Sequence, residues 1–389
     1  MLKLSVRGNA QIRPLTIERS AILRITTNPN YPGPLRGKSA LLQDNVTTEP
    51  SNGFAMLLVR NAFSDQKLPM INVLKIGSDL DYLSDGDVVR VGPDGRIKTI
   101  YRREARGVSL LVTERCNSFC VMCSQPPRDV NDDYLIDDYL EAIPLFDRKT
   151  REIGITGGEP TLLGKRLFKL LRALKAHLPD TAVHVLSNGR TACDLSLAEA
   201  FARVKHPDLM LGIPLYSDIP AIHDFVVQAD GAYDETLRGI INLKRYGVRV
   251  EIRVVIHRQT YKRLPDLARF ITRNLQFVDH VALMGLELMG FARSNLDEVW
   301  IDPVDYQAEL YEATNALARA GIRTSIYNHQ LCLLDPRIRS FSVRSISDWK
   351  NEYMPECAGC QLMSQCGGFF SSAVLRRSPH IQPQLVQLN

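Results

Sequence analysis

The chain has 389 residues, 45% of them apolar and 23% charged, and a formal net charge of +5. This is the make-up of an ordinary globular protein long enough for two or three domains. So small a charge gives no electrostatic case for nucleic acid or an anionic membrane. No apolar run reaches the ~18 residues that span a bilayer, and the opening MLKLSVRGNAQIRP turns polar too soon for a secretory signal. The expected location is the cytoplasm, where thiols stay reduced. Eight cysteines there point to metal or catalysis ahead of disulfides.

Residues 1–105 read as a β-rich domain. In RVGPDGRIKTIYRR (90–103) a Pro-Asp-Gly turn separates two alternating runs, which predicts a hairpin. NPNYPGPLRG (28–37) is a Pro/Gly-rich loop. From about 106 the pattern changes. Apolar runs at 108–113, 152–156, 182–187, 209–216, 248–256 and 280–288 lack strict polar alternation, as strands buried on both faces do. Helical periods lie between them. One places Leu167, Leu170, Leu171 and Leu174 on one face. A second has Asp234 as N-cap and Gly247 past its end. A third has Asp302 as cap, Pro303 in the first turn and Gly321 as terminator, with Tyr306, Leu310 and Leu317 inward. Six βα units in series predict a parallel sheet with right-handed crossovers, a partial (β/α)6 TIM-like barrel over 106–300. In such a sheet binding groups gather at the carboxyl ends of the strands.

The motifs fall at those ends. CNSFCVMC, with Cys116, Cys120 and Cys123 spaced C-x3-C-x2-C, follows the first strand; TGGEPT (156–161) follows the second and SNG (187–189) the third. Structural zinc takes four closed ligands, and these three cysteines have no nearby fourth Cys or His. A [4Fe–4S] cubane takes one cysteine per iron, so three cysteines leave one iron open to chelate a small molecule. The remaining thiols are Cys193, just before the helix cap Asp194, and a tail group: Cys332, then Cys357, Cys360 and Cys366 in CAGCQLMSQCGG. Cys193 reads as a packed thiol or as a hydrogen-atom donor facing the site. The tail group fits a zinc ribbon or a single cubane without an open iron.

The cysteine loop, GGEP and SNG together resemble the radical S-adenosylmethionine (SAM) enzymes. The resemblance implies a SAM-binding [4Fe–4S] cluster on Cys116, Cys120 and Cys123, reductive cleavage of SAM, and a 5′-deoxyadenosyl radical. It implies that Gly157 and Gly158 let the ligand approach the backbone, that Glu159 accepts from the SAM ammonium, that Ser187 and Asn188 meet the ribose, and that the backbone at Met122 meets adenine. Met122 stands where the family usually has an aromatic. HDFVVQADGAYDETLRGIINL (223–243) resembles the peptide-maturing members. Their usual Ser-Leu-Asp at the preceding strand end is replaced by Pro214, Leu215 and Tyr216, with Ser217 as a substitute contact. Arg253, sharing a strand face with His257, is the expected partner of the SAM carboxylate.

The tail spacing, over residues 301–389, resembles the auxiliary-cluster (SPASM or Twitch) region of peptide maturases and implies a second [4Fe–4S] cluster. Over nearly the whole chain, from RGNAQIRP to RSISDWKNEY, the motifs resemble the radical SAM maturases of the His-Xaa-Ser system. That family implies a ribosomally made precursor peptide as substrate, a second radical SAM protein (HxsB) as partner, and an external electron donor. It implies neither a membrane nor a nucleic acid.

Overall fold

The computed structural model describes residues 5–7, 17–45, 52–61, 72–105, 107–344 and 351–385. The opening motif at 8–14 and residues 345–350 of RSISDWKNEY lie outside them.

The first sheet has strands β1 (Ser5–Arg7), β2 (Ala21–Thr26), β3 (Ser39–Gln43), β4 (Met56–Val59), β5 (Asn72–Lys75), β6 (Val88–Val91) and β7 (Arg96–Tyr101), in the order β1-β7-β6-β2-β3-β4-β5. The expected hairpin is β6–β7: Val91 pairs with Ile97, Gly92 donates to the Arg96 carbonyl at 2.8 Å, and Gly95 turns the chain at φ 75°. A left-handed φ of that kind is one glycine takes without a Cβ clash. Tyr101 stacks on Phe146 at 4.4 Å and Arg90 pairs with Asp138 at 2.8 Å, which seats this sheet on the next unit.

The second sheet contains β8 (Val108–Thr113), β9 (Glu152–Gly157), β10 (Ala182–Leu186), β11 (Leu209–Pro214), β12 (Arg249–Val255), β13 (His280–Met284), β14 (Thr324–Tyr327) and β15 (Ser342–Val343). All eight run parallel in sequential order, and β8 and β15 remain separate edges. The fold is a mixed α/β chain with an open, partial TIM-like barrel. The six expected strands are present, but two more close part of the gap, so the barrel sheet runs to Val343, past the boundary expected at 300. Their apolar runs, TSIY and SV, are too short to stand out in the sequence.

Strand alternation sorts the side chains. In β12, Val250, Ile252 and Val254 join the large core under the helices, while Glu251 and Arg253 take the other face. Helix Lys165–His177 buries Leu167, Leu170, Leu171 and Leu174 as its period requires. Asp302 accepts from the Val304 N–H at 3.1 Å and opens the turn leading to helix Gln307–Arg319, with Gly321 at φ 75° beyond it. Asp234 is not the cap of its helix. Helix Ala232–Arg245 starts earlier, and Asp224 accepts from the N–H groups of Gly231 and Tyr233, both at 2.7 Å. A cap from the preceding helix ties the two together, which local spacing does not reveal. No helix of the described residues is long and apolar enough to cross a membrane.

Beyond the barrel, β16 (Asn351–Glu352) and β17 (Phe369–Phe370) pair antiparallel. The tail around them is held by an apolar cluster of Leu333, Phe369 and Ile381, against which Cys332 and Cys357 pack.

Candidate functional site

Three loops meet at the carboxyl ends of β8, β9 and β10. The Gly158 N–H donates to the Thr113 carbonyl and the Glu159 N–H to the Arg115 carbonyl, both at 2.8 Å, so the ladder of β8 and β9 continues into the cysteine loop. The approach is too close for a side chain. A Cβ on Gly157 would stand 2.3 Å from the Thr113 oxygen, and one on Gly158 would stand 2.1 Å from the Arg115 oxygen. The sequence reading gave these glycines to a ligand; the backbone of the cysteine loop already requires them.

Glu159 is fully buried. One carboxylate oxygen accepts from the Thr161 N–H at 3.0 Å, the Thr161 hydroxyl at 2.6 Å and the Ser187 hydroxyl at 2.8 Å; the other accepts from the Asn188 N–H at 2.6 Å. Burial pushes this carboxyl up, against the pull of those donors. The expected contact of this side chain with the SAM ammonium is corrected on that geometry: Glu159 is a staple between GGEP and SNG, and so is the Ser187 hydroxyl. Asn188 reaches on, donating through Nδ2 to Asn117 Oδ1 at 2.6 Å.

The cysteine loop is clamped from every side. Phe119 and Val121 donate N–H bonds to the carbonyls of Val227 and Val226 at 3.0 and 2.9 Å. Asn295 Nδ2 donates to the Val121 carbonyl at 2.8 Å, and the Phe291 N–H to the Cys123 carbonyl at 2.8 Å. Arg190 donates to the Asn117 carbonyl and to the Ser118 hydroxyl, while its Nε is held by Glu235 at 2.6 Å. At the loop's root, buried Asp132 accepts from the Thr113 hydroxyl and the Glu114 N–H. Sequence reasoning missed Asp132, Asn295 and Glu235. It quoted Arg190 beside SNG without giving it a role, and that adjacency was the only signal available.

The donor set suits a cluster better than one ion. Burial pushes the Cys116 thiol up to about 11 and the Cys120 thiol to about 12, with the neighbouring sulfurs adding to both; Cys123 is raised as well. Three such thiols become thiolates together only when a cation takes the protons' place. Among the described residues no group of three or more His, Cys, Asp or Glu side chains is close enough to hold a single metal ion. A cubane spreads its thiolates over separate irons, and these sulfurs fit that wider spacing.

Around the loop lies an apolar shell of Met122, Tyr216, Val226, Ala292 and Val299. Tyr216, at the departure from Ser-Leu-Asp, comes close enough to Cys120 and Cys123 for their charge to add to the burial that raises its phenol. His257 lies just past β12, fully buried, its ring 6.2 Å from that of Tyr216; burial lowers it to about 4, and neither ring nitrogen has a hydrogen-bond partner. Ser217 is not brought to the site. It is fully buried and its hydroxyl accepts from the Ile219 N–H at 3.1 Å within the turn. Arg253 donates to Glu251 at 2.8 Å and to the Met284 sulfur at 3.1 Å, leaving about a quarter (24%) of its side chain exposed. Burial works against the Glu251 charge, but the His280 hydrogen bond, Arg253 and His184 outweigh it and hold the carboxyl at about 2. Cys193 is exposed.

In the tail, Cys332, Cys357, Cys360 and Cys366 line one cavity of about 340 Å³. A larger cleft of about 600 Å³ runs between the strand ends, at Ile256, Gly285, Leu286 and Asn328, and the tail strand at Phe369 and Phe370. Gln330 and Phe369 line both spaces and so form the wall between them.

An open parallel barrel with a three-cysteine loop clamped over its mouth defines the class. Residues 110–271 match the Radical SAM superfamily, and this part of the chain is a radical SAM domain. Among curated proteins, the chain is similar to the pre-heme d1 synthase of Dinoroseobacter shibae, 31% identical over 192 residues, and to the Fe-coproporphyrin III synthase of Methanosarcina barkeri, 28% identical over 167. Those matches cover 48% and 40% of this chain but only 45% and 38% of the relatives, so the chain spans less than half the length of the curated relatives it matches. Among solved structures, SuiB of Streptococcus suis bound to S-adenosylmethionine shares the fold, with a TM-score of 0.53 at 14% identity over 75% of this chain and 78% of that one.

Proposed function

We propose that the chain is a radical SAM peptide maturase, of the His-Xaa-Ser (HxsC) type that its motifs resemble, acting on a ribosomally made precursor peptide. The observation that carries this reading is the cleft of about 600 Å³ set between the mouth of the radical SAM domain and a tail cavity lined by four cysteines. Cys116, Cys120 and Cys123 would hold the SAM-binding [4Fe–4S] cluster; with SAM bound, it supplies a 5′-deoxyadenosyl radical that takes a hydrogen atom from the substrate. The protein's own part is to position and to exclude water. The GGEP, SNG and Arg190 staples fix the cysteine loop, and the shell of Met122, Tyr216 and Val226 keeps solvent off it. Asn188 and the Met122 backbone are assigned to the adenosine. Arg253 is assigned to the SAM carboxylate, since Glu251 fixes its guanidinium while part of it stays open. The four tail thiols would hold an auxiliary [4Fe–4S] cluster. An external electron donor and a second radical SAM protein, HxsB, are the partners this reading implies, and the cytoplasm is the compartment.

A second reading, a tetrapyrrole or other small-molecule substrate, is favoured by the names of the two curated relatives. One experiment separates them. The anaerobically reduced protein is incubated with SAM and a synthetic His-Xaa-Ser repeat peptide, or with a porphyrin, and the products are weighed by mass spectrometry. A SAM-dependent mass change in the peptide, abolished by Cys116→Ala, is expected. A changed porphyrin beside an unchanged peptide would overturn the proposal.

A further inference from the structure

The last described segment, residues 378–385 (SPHIQPQL), crosses both spaces just described. Ser378 lines the cleft, while Gln382 and Gln384 line the four-cysteine cavity. The segment is built to stay extended. Pro379 and Pro383 fix their own φ and push Ser378 and Gln382 away from helical geometry, which lowers the entropy lost on ordering. It is tied down along its length. Ser378 is buried and accepts from the His380 N–H at 3.2 Å, and Ile381 is buried against Leu333 and Phe369. Gln384 accepts from the Gln361 N–H at 3.0 Å through its carbonyl and from Arg339 at 3.0 Å through its side chain.

The segment also reaches the sulfurs. Cys366 receives main-chain N–H groups from Leu331 at 3.5 Å and Gly368 at 3.4 Å, both from the body of the tail. Cys360 receives its N–H from Gln384 at 3.4 Å, and the main chain of Gln382 hydrogen-bonds Cys332. Hydrogen bonds to ligand sulfurs favour the more negative, reduced state of an iron–sulfur cluster and so raise its potential, as exclusion of water also tunes it.

We propose that residues 378–385 are a strap over the tail site that sets the reduction potential of the cluster held there, chiefly by carrying the Gln384 N–H to the Cys360 sulfur. This rests on the auxiliary-cluster reading above. The test uses the full chain with Cys116, Cys120 and Cys123 replaced by Ala, so that only the tail signal remains. Iron and sulfide are assayed first; zinc without sulfide would sink the cluster reading itself. Gln384→Pro, which lacks the N–H, is then compared with Gln384→Ala, which keeps it, by redox titration followed by electron paramagnetic resonance. The expected result is a more negative midpoint for the proline variant alone, or loss of its cluster while the alanine variant stays loaded. Equal midpoints in all three loaded proteins, or an equal shift in both variants, would overturn the strap and leave the cluster reading standing.

Discussion

Glu159 shows how a motif residue can be visible in the sequence while its work is not. Its carboxylate gathers four donors from residues up to 29 positions away and exposes no surface. Glu159→Gln keeps the shape but turns an N–H toward groups that themselves donate. It should cost on the order of 3 kcal/mol, from a lost charge-assisted bond and an unsatisfied donor. Denaturant unfolding should show a lower midpoint at unchanged slope; an unmoved midpoint would remove the staple. Ser217 shows the opposite. It stands beside the expected strand end, but the turn consumes its hydroxyl. The cysteines were legible because spacing along one loop is itself the information. Asp132 carried no such mark, being one aspartate among many until the fold brought it to Thr113 and Glu114.

At the scale of elements, helix Ala232–Arg245 does more than cover the sheet. A Cβ on Gly239 would stand 2.1 Å from the Gly189 carbonyl oxygen, so backbone meets backbone where the helix presses on the SNG loop. Gly239→Ala gains about 1 kcal/mol of helix propensity but overpacks a contact where neither side can yield, at a typical cost of about 1–3 kcal/mol or more. The expected outcome is a lower melting temperature together with weaker SAM binding by calorimetry, because the displaced loop carries Asn188. A stabilised variant with unchanged SAM affinity would refute the contact. Sequence period gave this helix its inward face; it gave no hint that one glycine on that face touches a functional loop. Nor did it show that the Asp224 cap comes from the neighbouring helix.

The whole molecule buries many neutral imidazoles. Burial lowers His184, His223, His257 and His329 each to about 4. An unfolded histidine titrates near 6.5, so between about 6.5 and 4 the unfolded chain binds protons that the folded chain refuses. That stability is complete above about 6.5 and is lost as the pH falls. Each group contributes at most roughly 3 kcal/mol, and four together rival the total stability of a typical domain, about 5–15 kcal/mol. Glu251, held at about 2, adds a further loss below its ordinary range. The apo-protein should therefore melt progressively earlier from pH 7 downward and unfold before pH 4; a flat melting temperature between pH 7 and 5, followed by circular dichroism, would contradict this. The sequence by itself determined the alternation of strands and helices, the three motifs at successive strand ends, and the grouping of seven of the eight cysteines. These are local properties, fixed by periods of two and 3.6 and by spacings within one loop. Only the tertiary structure decided which motif side chains are consumed as staples, that two short strands extend the barrel, and that the tail thiols share a wall with the cleft. Such contacts join residues far apart in the chain, as Asn188 to Asn117 or Gln384 to Cys360, and their geometry comes from packing rather than from any pattern along the sequence.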